Sequence, residues 1–90
     1  MQVVFEVSKE NKNKVENIIK KDDLISRQSI VVRAFEDKFY FLIDGNEEAI
    51  GRARDILKDI AKEAENKEEI IRKIKEEEEQ ALLGFGSILG

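Results

Sequence analysis

The sequence predicts an α+β domain in the order β-α-β-β-α, continued by a long C-terminal helical extension. Three observations carry the prediction. "QVVFEV" near the start and "SIVVRAF" and "FYFLI" in the middle alternate their side chains at the two-residue period of strands, and are rich in β-branched and aromatic residues. "DGNEEAIGRARDILKDIAKEA" instead spaces its apolar residues three and four apart, the period of a helix face. The same step then continues past Asn66 through Ile71, Ile74 and Ala81.

Taken in order, the first strand places Val3, Phe5 and Val7 on one face and Gln2, Val4 and Glu6 on the other. Ser8 is a plausible N-cap for "KENKNKVENIIKKDD", where Val15, Ile18 and Ile19 form a narrow apolar stripe and predict a short surface helix ending near Lys21. "DDLIS" turns the chain. The two following strands are separated only by "EDK", the length of a tight hairpin, and should pair antiparallel. Ile30, Val32, Ala34, Phe39, Phe41 and Ile43 then share one face, and Val31, Arg33, Phe35, Tyr40 and Leu42 the other. Both faces are largely apolar, so both need cover.

Asp44-Gly45-Asn46 supplies a turn and cap for the main helix, and Glu47 and Glu48 suit its positive N-terminal end. Ile50, Ala53, Leu57, Ile60 and Ala64 line its seam. Because the seam keeps its phase to Ala81, one gently kinked helix over residues 47–83 is expected, with a break near Asn66 as the alternative. Such a helix is about 55 Å long, more than so small a body can cover, and its outer half needs another chain to pack on. The expected organisation is a domain over residues 1–64, a helical extension over 65–83 and an apolar tail over 84–90.

Composition narrows the chemistry. Ninety residues suit one domain with a marginal core. Cys and His are both absent, which removes thiolate and imidazole metal ligands, disulfides, the Cys nucleophile and the commonest general base. No catalytic residue, cofactor or metal site is expected. The acidic runs do not change this, because consecutive Glu residues fan around a helix instead of converging on a cation. "MQVVFEVSKEN" has no basic segment leading into an apolar run, and no stretch approaches a membrane span, so a cytoplasmic protein without membrane contact is expected. Charged residues make up 40% of the chain, mostly Lys and Glu, a composition that leans towards the surface ion pairs of a thermophile.

The net charge of −4 resides in the C-terminal half. Nucleic acid would therefore meet only a local surface in the N-terminal half. Its candidates are Lys12, Lys20, Lys21, Arg27 and Arg33, with Tyr40 to stack a base. Glu10, Glu16, Asp22 and Asp23 interleave with them, and a solvated mixed surface is the favoured reading.

"LIDGNEEAIGRARDILKDI" resembles the last strand and helix of a KH domain, and "ENIIKKDDLI" resembles the place where that family carries its GXXG loop. The likeness spans residues 1 to about 64. It implies a three-stranded, mainly antiparallel sheet with the helices packed on one face and, in functional members, a loop that clamps four backbone nucleotides. Here Lys20-Lys21-Asp22-Asp23 stands in place of the glycines, and the two carboxylates repel phosphate. The resemblance is thus to a degenerate KH-like domain, as among small archaeal proteins of unknown function.

The chain closes with "EEEEQALLGFGSILG". Gly84 is placed to end the last helix, and Leu82, Leu83, Phe85, Ile88 and Leu89 make an apolar cluster of a kind that soluble monomers avoid exposing. Three fates are open to it: folding back, docking on a neighbouring subunit, or presentation to another protein. Together with Ile71 and Ile74 these residues are the candidate partner surface. The expectation is a non-catalytic, self-associating structural or adaptor subunit, most simply a twofold dimer. RNA binding through a KH-like sheet and the Lys-rich first helix is the alternative.

Overall fold

The computed structural model describes the backbone of residues 1–89 and the side chains of residues 1–78. Strand β1 (Gln2–Ser8) leads to helix α1 (Lys12–Lys21) and a 3-10 turn at Ile25–Arg27, followed by β2 (Ser29–Phe35), β3 (Lys38–Asp44) and helix α2 (Glu47–Leu57). A two-residue strand β4 (Lys62–Glu63) and helix α3 (Lys67–Leu89) complete the order. The sheet is antiparallel, with the strands arranged β2-β3-β1-β4.

The period-two alternation of β1, β2 and β3 becomes two separate cores. Val3, Phe5, Val7, Phe41 and Ile43 point to one face, where Val15 and Ile19 of α1, Ile25 of the 3-10 turn and Ile50, Ala53 and Leu57 of α2 bury them. Val4 and Leu42 point to the other face and meet Ala64 and then Ile70, Ile71 and Ile74 of α3, with Val31, Phe35 and Tyr40 around them. The molecule is therefore three layers deep.

This corrects four expectations. The sheet has four strands, because Lys62–Glu63 pairs with Phe5 and Glu6 of β1. The helices occupy both faces, since α3 covers the second. Residues 47–83 are not one helix: α2 ends at Leu57, whose carbonyl accepts from the Ile60 and Ala61 amides as the chain turns. The Ala64 N–H then donates to Val4 O at 2.8 Å and carries the chain round the β1 edge. The physical cause is the second apolar face. A straight continuation of α2 would leave Val4 and Leu42 in water, and burying such side chains is worth about 1.5–3 kcal/mol each. Nor does Gly84 end the last helix, because α3 continues through it to Leu89.

Local chemistry fits each join. Asn46 caps α2, its side-chain oxygen accepting from the Ala49 N–H at 2.8 Å. Gly45 lies against the Gln28 side chain, which a Cβ there would push aside. The hairpin closes through Glu36-Asp37, with Glu36 at φ 59°, the positive value that the primed hairpin turns require at their first central residue.

Candidate protein-interaction surface

Helix α3 crosses the second face from β1 to the outermost strand. At its start the Lys67 ammonium donates to Gln2 O at 3.3 Å. Its middle lies over Leu42 and Phe35, with Lys73 Nζ 5.9 Å from the Phe35 ring centre. By Glu77 and Glu78 it has reached β2, where their carboxylates lie 3.5 and 3.9 Å from the guanidinium of Arg33. Arg33 Nη1 also donates to the carbonyl of Val32 at 2.9 Å. Phe35 and Tyr40, with ring centres 5.8 Å apart, complete this end of the layer.

The residues proposed for nucleic acid do not assemble. Lys12, Lys20 and Lys21 belong to α1, which packs on the first face, and Arg27 is exposed on the adjoining turn. Lys12 is engaged by Glu16 at 3.1 Å and lies over the Phe39 ring. Arg33 and Tyr40 project from the opposite face, beside α3. The sheet thus separates the lysines from the arginine and the aromatic ring that were expected to act with them.

In the turn after α1, Asp22 has a structural task. Its Oδ1 accepts from the Leu24 and Ile25 amides at 3.1 and 3.0 Å, and its Oδ2 meets Arg52 of α2. The Ile25 amide, followed by the Arg52 guanidinium and the Leu24 amide, holds this carboxyl below the usual aspartate range, with partial burial opposing them. The motif "DDLIS" carries the local signal for this, since an Asp that bonds amides two and three residues onward is a common turn former. Its ion pair with Arg52 has no such signal, because the partners are 30 residues apart.

Of the candidate partner residues, Ile71 and Ile74 are committed to this chain's own second core, at 9% and 1% exposure. Ile70, not anticipated, joins them at 2%. Leu82, Leu83, Phe85, Ile88 and Leu89 lie outside the residues whose side chains are described. A groove beside Gln2 and the outer flank of α3 is lined by Lys67, Glu68, Ile71, Arg72, Lys75 and Glu76, whose mixed charges define no single ligand chemistry. Among the described residues no cluster of three or more metal-ligating side chains is present, and no helix is long and apolar enough to cross a membrane. Comparison with family models, with curated proteins and with solved structures yields no match.

Proposed function

We propose that this chain is a non-catalytic structural or adaptor subunit that self-associates, its apolar C-terminal segment docking on a neighbouring copy. The observation that carries the reading is where the sheet runs out. Glu77 and Glu78 already stand at β2, the last strand on that side, and α3 fills the second face up to that point. The sequence beyond them still holds Leu82, Leu83, Phe85, Ile88 and Leu89, while among the described residues the sheet has no further strand on that side for them to cover. Burial against a second copy answers both facts, and even one large side chain so buried is worth about 1.5–3 kcal/mol.

Light scattering across a dilution series tests this with the full chain and a chain ending at Gln80. The full chain is expected to be a dimer at micromolar concentration. Removing the last ten residues should raise its dissociation constant on the order of a hundredfold. Two monomers, or two dimers of equal affinity, would overturn the reading.

A further inference from the structure

The two edges of the sheet are protected very differently. β4 is two residues long, both charged and exposed, with Glu63 held by Arg54 at 2.8 Å. Short, charged edge strands are the usual defence against pairing with another chain. β2 is seven residues long, follows β3 without a bulge from Ser29↔Asp44 to Phe35↔Lys38, and carries one charge and no proline. Among the described residues no strand pairs with its outer side.

The ladder also fixes which backbone groups face outward. The Gly45 N–H donates to Met1 O at 3.0 Å, extending the β1–β3 register by one pair, so β1 and β3 bond each other at their odd-numbered residues. The even-numbered residues of β3 therefore bond β2, and by the register their partners are Ser29, Val31, Arg33 and Phe35. The N–H and C=O groups of Ile30, Val32 and Ala34 are left pointing away from the sheet. One of these six groups, Val32 O, is occupied by the Arg33 guanidinium.

We infer that this edge pairs with β2 of a second copy, antiparallel about a twofold axis through Val32. The inference rests on the self-association proposed above and names its geometry. In this register Ile30 opposes the partner's Ala34, Val32 opposes its twin, and Ala34 opposes the partner's Ile30. Every outward group then meets an outward group, giving two hydrogen bonds at each of the three positions. Charge selects among the registers. Moving the axis to Arg33 sets two guanidinium groups directly opposite each other, which is unfavourable. Moving it to Val31 sets Ala34 against Gln28 and leaves Phe35 beyond the ladder. With the axis at Val32, each Arg33 opposes Val31 and keeps Glu77 and Glu78 of its own α3, while Val32 O exchanges that guanidinium for the partner's amide. The product is a continuous eight-stranded sheet with a guarded β4 at each end.

Amide hydrogen exchange on the unmodified full chain, above and below its dissociation concentration, tests the pairing. Ile30, Val32 and Ala34 are expected to be protected in the dimer and to exchange freely on dilution. Val32→Pro removes an outward N–H that the monomer does not use, so circular dichroism should be retained while dissociation becomes at least about tenfold easier. A dimer whose edge amides exchange freely would overturn the edge pairing and leave docking of the C-terminal segment standing. Protection that persists in the monomer would assign the edge to residues of the same chain, and overturns it equally. If loss of the last ten residues leaves affinity unchanged while the edge amides are protected, the docking segment fails and the edge pairing survives. A full chain that stays monomeric ends both.

Discussion

The two faces of this sheet are built from the same strands yet closed by unequal means. The first is sealed by two helices and a 3-10 turn, with Val3, Val15, Ile25, Ile43, Ile50, Ala53 and Leu57 wholly removed from water. The second has only α3, and Leu42 and Ile71 keep 7% and 9% of their surface. Polar contacts divide in the same way. On the first side Asp22 joins the 3-10 turn to α2 with a carboxyl side chain only 6% exposed, whereas on the second Arg33, Glu77 and Glu78 remain 37%, 49% and 50% exposed. The first face is the more completely sealed of the two cores, and the second keeps more of its polar rim in water.

Core truncations should separate the two most strongly. Phe41, at 1% exposure in the middle of the sheet, is among the largest fully buried side chains of the first face, and Phe41→Ala should cost about 3–5 kcal/mol in urea unfolding. Ile74 is equally buried, but it belongs to the single helix covering its face, and that helix can settle into the space left behind. Ile74→Ala should therefore fall near the low end of its class, about 2–3 kcal/mol. Equal losses at the two sites would show that α3 is held as rigidly as α1 and α2.

The sequence made the first face legible and misassigned the second for a definite reason. Val3-Phe5-Val7, the hairpin faces and the Ile50-Ala53-Leu57 seam were all readable, because local period reports which side chains share a face. Period does not report which neighbour that face meets. Ile60 packs on the first core and Ala64, Ile71 and Ile74 on the second, yet all four keep one heptad phase through the Lys58–Ala61 turn and β4. The unbroken phase was coincidence between two helices on opposite sides of the sheet. A strand of two charged residues leaves no pattern to find. The apolar second face was itself the correct clue, since it demanded a cover, and the cover lay in the same chain. The nucleic-acid candidates failed to assemble for a related reason: residues such as Lys20 and Arg33 are close in sequence, but the sheet lies between them.

Acid should expose the next difference. Backbone amides and Arg52 favour the ionised form of Asp22, so its carboxyl titrates lower in the folded chain than in the unfolded one. The unfolded state then binds the extra proton, and the stabilisation is present above the ordinary aspartate range of about 4 and lost as pH falls through the lower folded value. Asp22→Asn keeps an oxygen for the Leu24 and Ile25 amides and removes the charge. It should lower the melting temperature at pH 7 and leave it nearly equal to that of the native chain at the acid end. Melting curves that run parallel from neutral pH to acid would mean that the ionised carboxylate contributes nothing.

The corresponding ion pairs on the second face should give the smallest effect. Arg33 reaches Glu77 and Glu78 at 3.5 and 3.9 Å, but all three side chains remain substantially in water. Solvent and salt screen such contacts, and ordering three long side chains offsets much of the attraction. Replacing both carboxylates together, Glu77→Gln with Glu78→Gln, should cost less than about 1 kcal/mol in urea unfolding, and the cost should shrink further as salt is added. A loss above about 2 kcal/mol that salt does not reduce would place this cluster in a dry environment. In that case the β2 end of α3 is as dry as the first face, and the contrast between the two faces would no longer hold.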